Sequence, residues 1–348
     1  MRALTYHGKG DIRHERVADP EILDPRDAII EVRLSAICGS DLHTYHGRER
    51  DIDAGTVMGH EFLGKIVETG SGVRNFKPGD VVVSPFTSNC GICHFCRIGL
   101  TCRCSNGRLY GYMAGGQGLQ GGQAEYVRVP FADAGLLAVP EETRPEETLL
   151  LGDILSTGYF CAEMAQVKPD GIYAIVGCGP VGIMTLIGAL SQGATRIFAI
   201  DCVQERLAKA ASLGARTVDF KTEDPVQALL EATDGAGADA VMEVVGSTAA
   251  GRLAFALVRP GGILAVAGVH YDSQLPFSPV EAYDKNLTYK VGRCPARHYM
   301  DRLLPLVVSR KYALADIFSH RLPLTEGPRG YELFAQKREG CTKVLLTP

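Results

Sequence analysis

The stretch Tyr173-Ala174-Ile175-Val176-Gly177-Cys178-Gly179-Pro180-Val181-Gly182 decides how the centre of this chain folds. A short apolar run enters a Gly-x-Gly-x-x-Gly turn, and an apolar, helix-like segment leaves it. In that context the pattern predicts a dinucleotide-binding turn. Gly177 permits the sharp turn, Gly179 lets the backbone approach a pyrophosphate, and Gly182 lets helix and strand pack closely. Pro180 and Val181 open the helix, whose free N–H groups and partial positive charge face the phosphates. The uncharged run Ile172–Leu190 is also about as long as a membrane span. Its glycines, Pro180 and the change of pattern halfway along favour strand, turn and helix instead.

Asp201 closes the next apolar run, Ile197-Phe198-Ala199-Ile200. It lies about twenty residues on, where a carboxylate accepts the ribose hydroxyls of NAD and repels the 2′-phosphate of NADP. Arg206 is a competing phosphate ligand; with Asp201 in place it reads as a surface residue of the helical pattern Val203–Leu213. Further apolar runs, Ala240-Val241-Met242 and Ile263–Ala267, alternate with helical patterns. Near-continuous apolar strands separated by helices predict an α/β domain over residues 155–290, with a doubly wound parallel sheet covered on both faces.

Residues 1–154 read as a β-rich domain. Strand-like runs at Ala28–Leu34 and Leu63–Thr69 alternate with turn signals at Gly70, Gly72, Pro78-Gly79-Asp80 and the glycines of 115–122. The tail, 291–348, has a helix-like Met300–Arg310 and a strand-like Thr342–Leu346, and is expected to return to the first domain. With 46% hydrophobic and 22% charged residues, the 348-residue chain has an ordinary globular composition. Its net charge of −4 argues against a nucleic-acid partner. The N-terminal run Met1–Tyr6 lacks the apolar core of a secretory signal, so no membrane association and a cytoplasmic location are expected.

Of the eleven cysteines, four fall in Cys90-x2-Cys93-x2-Cys96-x7-Cys104, a lobe over about 88–106. Four thiolates at this spacing close a tetrahedral zinc site with no open position, which makes it structural. Cys102 is a fifth candidate. A second set is dispersed: Cys38 in Cys38-Gly39-Ser40-Asp41-Leu42-His43, His60-Glu61 after Gly59, and Asp153 in Gly152–Gly158. A catalytic zinc needs about three protein ligands and one exchangeable position. Cys38, His60 and Asp153 could supply these, with Glu61 as a fourth or switching ligand. Spacing alone does not join them, because an isolated cysteine or histidine is usually a core residue.

Taken together and in order, these motifs resemble the zinc-containing medium-chain alcohol dehydrogenase family over essentially the whole chain. Gly121-Gly122-Gln123-Ala124-Glu125-Tyr126-Val127 and Asp153–Tyr159 are similar to its formaldehyde dehydrogenase-related branch. The resemblance implies a GroES-like β-rich catalytic domain interrupted by a Rossmann domain, with substrate in the cleft. It implies a catalytic zinc on Cys38, His60 and Asp153, with Glu61 beside it, and so two zinc ions per subunit together with NAD. It also implies that Ser40 touches the substrate oxygen, that His43 passes protons to solvent, and that the chain forms a homo-oligomer, a tetramer rather than a dimer. Asp153 stands where other members carry cysteine. The implied activity is reversible hydride transfer between a small alcohol, or hydrated aldehyde, and NAD. Polyol or threonine dehydrogenase and an NAD-retaining formaldehyde dismutase are the alternatives. Tyr45, His46, Tyr110 and Arg293 are candidates for the substrate pocket, or else packing and surface residues.

Overall fold

In a computed structural model, which describes residues 1–49 and 51–348, the chain forms two compact units. One comprises Met1–Ser156 with Pro295–Pro348, and the other Thr157–Cys294.

The second unit is a six-stranded, all-parallel sheet. Its spatial order is Arg216–Asp219, Arg196–Asp201, Ile172–Val176, Ala238–Glu243, Val258–Val266, Thr288–Val291. The chain winds outward one way from Ile172–Val176, then returns and winds the other way, which is the doubly wound order. Ala174, Val176, Phe198, Ile200, Val241 and Leu264 share one buried cluster with residues of the helix Thr248–Leu257. The uncharged run 172–190 is the strand Ile172–Val176, a turn, and the helix Pro180–Ser191. Among the described residues no helix is long and apolar enough to cross a membrane. Gly177 sits at φ +98°, and a Cβ on Gly182 would lie 1.9 Å from the Gly177 carbonyl oxygen. Helix and turn therefore touch at a distance that excludes any side chain.

In the first unit the strand Ala28–Ile37 organises a mostly antiparallel sheet. Along one edge it pairs with Glu61–Thr69. Along the other it pairs first with Tyr126–Val129 and then, at its end, with Val344–Thr347 near the C-terminus. Ile30, Phe62, Ile66, Val82, Tyr110 and Val127 fill one core on this sheet. Leu4, Ile37, Met58, Tyr331, Phe334 and Val344 fill another. Two strands run further than the apolar runs suggested, Ala28–Ile37 beyond Leu34 and Glu61–Thr69 before Leu63. Residues 35–37 pair with the returning tail and Glu61 meets its Lys343, contacts between segments hundreds of residues apart that local patterning cannot register. The tail's helix is Ala296–Val308, which starts directly after Pro295.

The register sets Ala36 opposite both Glu61 and Leu345, and Ile37 opposite Val344. Lys343, one residue before that last strand, thus meets Glu61, with Nζ 2.8 Å from Oε1 and both side chains wholly buried. Breaking a buried pair by removing one partner costs about 3–5 kcal/mol, because the remaining charge is uncompensated. We expect Lys343→Met to destabilise this unit by about that amount in urea unfolding, and Lys343→Met with Glu61→Gln to regain most of it. A Lys343→Met protein that unfolds at the wild-type urea concentration would show that the pair carries no such weight.

Candidate active site

The residues after the central strand turn straight into chemistry. Cys38 follows Ile37, and Ser40 immediately precedes the short helix Asp41–Tyr45 without capping it through its hydroxyl. His60 and Glu61 lie at the start of the neighbouring strand. Asp153 ends the 3-10 turn Leu150–Gly152. Cys38, His60, Glu61 and Asp153 each place one ligand atom within 4.8 Å of the others, and all four are buried. Asp153 Oδ2 is 3.2 Å from Cys38 Sγ and 3.3 Å from His60 Nε2. Ligands at about 2.0–2.3 Å from a tetrahedral zinc stand about 3.3–3.8 Å apart, so these spacings suit that ion.

The electrostatics call for a cation at this point. Burial first, then the charges of Asp153 and Glu61, push the Cys38 thiol up to about 12. Glu61 Oε2 is buried without a hydrogen-bond partner, while Oε1 is held by Lys343. A divalent ion would stabilise the thiolate and face that orphaned oxygen. His60 Nδ1 lies 3.1 Å from Asp41 Oδ1, so its Nδ1–H is directed at a carboxylate and Nε2 is left to face the cluster. The residues present therefore fit a zinc ion.

Ser40 Oγ is 3.2 Å from His60 Nε2, on the same edge of the ring as the cluster. His43 lies one helical turn on, half-buried. Burial, then the charges of Arg48 and His46, lower its pKa to about 4. Its imidazole is thus neutral at neutral pH, which moves its titration below the range expected of a free histidine. Tyr45 is half-buried with its ring 5.6 Å from that of Tyr331, and His46 is exposed. Tyr110 is a core residue, edge-on to Phe62 at 5.0 Å, and Arg293 is exposed in the other unit.

Cys90, Cys93, Cys96 and Cys104 form the second cluster. Cys93 Sγ is 3.5 Å from Cys96 Sγ and 3.9 Å from Cys104 Sγ, close to the edge of about 3.8 Å of a tetrahedron with Zn–S bonds of about 2.3 Å. The backbone N–H groups of Cys96 and Ser105 lower the Cys93 thiol to about 6, preparing a thiolate. Cys102 is buried in the 3-10 turn Thr101–Arg103 and stands outside this group of four.

In the second unit the turn Gly177–Gly182 lies at the end of Ile172–Val176, beside the point where the strand order reverses. Crevices at such points hold ligands in open α/β sheets. Nothing but the Arg206 guanidinium comes within 4 Å of where a Gly179 Cβ would stand, so that face is open. Asp201 is buried and pins the turn: Oδ2 accepts the Cys178 N–H at 2.8 Å, and Oδ1 accepts those of Cys202 and Val203 at 2.7 and 3.0 Å. Arg206 departs from the surface role expected of it. Its side chain is 13% exposed and its Nη1 lies 3.9 Å from Asp201 Oδ2, over the glycine turn. Helical periodicity could not foresee this, because the side chain folds back onto the preceding loop.

Four side chains around the first cluster were given no role from sequence: Asp41, Gln123, Tyr331 and Lys343. Asp41 and Gln123 lie inside quoted motifs. Tyr331 and Lys343 carry no local signal at all.

Residues 24–141 match the alcohol dehydrogenase GroES-like domain, and residues 180–309 the zinc-binding dehydrogenase domain. Zinc-type alcohol dehydrogenase B of Aspergillus flavus is 40% identical, over 96% of this chain and 78% of that protein. The glutathione-independent formaldehyde dehydrogenase of Bacillus subtilis is 31% identical, over 100% of this chain and 97% of that one. Its alignment runs to 399 positions against the 348 residues here, so the relative carries inserted segments. Among solved structures, the alcohol dehydrogenase TADH from Thermus sp. ATN1 superposes with a TM-score of 0.94 at 41% identity, over 100% of this chain and 99% of that one. The ordered motifs, the two units and these relatives agree: the chain belongs to the zinc-containing medium-chain alcohol dehydrogenases, a family of oxidoreductases.

Proposed function

We propose that this chain oxidises a small alcohol to its aldehyde or ketone, reversibly, with zinc on Cys38, His60 and Asp153 and with NAD as hydride acceptor. The observation that carries this is the convergence of those buried ligand atoms, with Glu61, within 4.8 Å. Zinc held there supplies a Lewis acid that makes an alcohol hydroxyl more acidic. Ser40 Oγ accepts the hydroxyl proton and passes its own outward, since a hydroxyl both donates and accepts. His43 is the outer group of this path by family resemblance; with burial lowering its pKa to about 4 it is a weak base, which hands a proton on to solvent rather than holding it. A nicotinamide held by the second unit would supply the hydride acceptor for the alcohol carbon, leaving the carbonyl product and one proton. Asp153 takes the place of a third soft ligand with a carboxylate, and Glu61, tethered through one oxygen, stands ready with the other.

The second unit holds the dinucleotide on Gly177, Gly179, Pro180, Val181 and Gly182. An ionised carboxylate offers about four acceptor positions. Asp201 uses three on backbone N–H groups, which leaves capacity for a ribose hydroxyl. Arg206 faces the same turn and attracts phosphate, so the choice between NAD and NADP rests on the Asp201 charge. The four-cysteine lobe holds a structural zinc, which requires reduced thiols and fits the cytoplasm. By family resemblance the working form is a homotetramer.

A screen of short alcohols, diols, threonine and hydrated formaldehyde, followed by NADH absorbance, tests the substrate class. We expect turnover of short alcohols with NAD preferred over NADP, and a smaller preference in Asp201→Asn. Equal efficiency of the wild type with both cofactors would contradict the role of Asp201. Turnover of polyols or threonine alone, or dismutation of formaldehyde with cofactor retained through purification, would replace the substrate assignment.

Ser40→Ala should lose about 10²–10⁴-fold in turnover with zinc content unchanged, the usual worth of general acid–base assistance. Wild-type turnover of a zinc-replete Ser40→Ala protein at saturating alcohol would remove Ser40 from the proton path.

A further inference from the structure

Gln123 is wholly buried, yet every polar atom of its side chain is used. The amide nitrogen donates to the Ala36 carbonyl oxygen and to Asp41 Oδ2, both at 3.1 Å. The amide oxygen accepts the Tyr331 hydroxyl proton at 2.8 Å. Two acceptors at one end and a hydroxyl at the other fix which way the amide points. Asp41 Oδ2 also accepts the Cys38 N–H at 2.9 Å, and Oδ1 faces His60 Nδ1. One carboxylate therefore holds the backbone of one ligand and the ring of another, and Gln123 orients that carboxylate.

The surroundings are shaped for this side chain. Gly59 sits at φ +91°, and a Cβ there would lie 2.3 Å from Gln123 Cγ. The Gln123 and Gly122 N–H groups donate to the carbonyls of Met58 and Gly59, so the loop is zipped onto the segment that leads into His60. Tyr331, also wholly buried, comes from the helix Gly327–Gln336, near the other end of the chain.

We propose that Gln123 and Tyr331 are positioning residues for the Cys38–His60–Asp153 centre. The chain Tyr331–Gln123–Asp41 holds His60 with Nε2 toward the cluster and holds Cys38 in register with it. This rests on the zinc assignment above. Loss of an outer partner of a metal ligand typically weakens metal binding about 10–100-fold. Gln123→Leu leaves the Tyr331 hydroxyl unpaired and takes one donor from Asp41. Tyr331→Phe deletes one oxygen and leaves Gln123 Oε1 without its donor, so the amide is held at its nitrogen end only.

The test uses the full-length protein, the four-cysteine site serving as internal reference. Zinc release to excess chelator is followed for wild type, Gln123→Leu, Tyr331→Phe and the double variant. We expect one zinc equivalent to be held about tenfold or more less tightly in Gln123→Leu and several-fold less tightly in Tyr331→Phe, the other being unchanged. The double variant should match Gln123→Leu alone, because both act through one carboxylate. With cobalt(II) in place of zinc, the visible band of the same site should shift in Tyr331→Phe, the variant that changes least. Wild-type release and spectrum in Tyr331→Phe, or parallel loss of both metals, would overturn the inference. A wild-type protein with zinc on the four cysteines only would overturn the zinc assignment itself, and this inference with it.

Discussion

The register of the strand Ala28–Ile37 is the constraint on which the site depends. Its end lies between Glu61 on one side and Val344 on the other. Cys38 leaves that end, His60 and Glu61 begin the neighbour, and Lys343 precedes the third strand. A slip of one residue would turn every side chain of the strand to the opposite face. The cores beneath it forbid that slip: Ile30, Phe62 and Ile66 on one side, Leu4, Ile37 and Val344 on the other. Apolar packing thus fixes the positions of polar groups that would repel one another if left to themselves. The buried ion pair Glu61–Lys343 offsets part of that repulsion, and the Asp153 carboxylate remains for a cation, together with the Cys38 thiol that such a cation would deprotonate.

The second unit solves a different problem with the backbone. Its turn must be tight enough for strand and helix to touch and open enough to receive a phosphate group. Gly182 satisfies the first need by direct contact with the Gly177 carbonyl, and Gly179 the second by presenting open space. Asp201 joins the two tasks. Its carboxylate pins the Cys178 N–H within the turn while ending the next strand. The group that would select the cofactor is therefore also part of what holds the turn in shape.

Legibility in the sequence followed the distance between cooperating residues. The glycine turn and the four-cysteine lobe lie within short segments, and residue type with spacing was enough to draw both. Cys38, His60 and Asp153 are separated by whole strands. Nothing in their spacing joined them, and family resemblance did what periodicity could not. Lys343 and Tyr331 were beyond reach, because a lysine in an apolar tail or a tyrosine on a helix gives no sign that it is wholly buried against a site hundreds of residues away. Arg206 shows a related limit: periodicity places its Cα on a helix face but does not say that the long side chain folds back over the glycine turn.

The most direct test of the zinc centre is a crystal of the protein as purified, with diffraction recorded above and below the zinc absorption edge. An anomalous peak among Cys38 Sγ, His60 Nε2 and Asp153 Oδ2 is predicted, with a second among the four cysteines. A peak on the four cysteines, with none at Cys38 in protein that turns over alcohol, would contradict it.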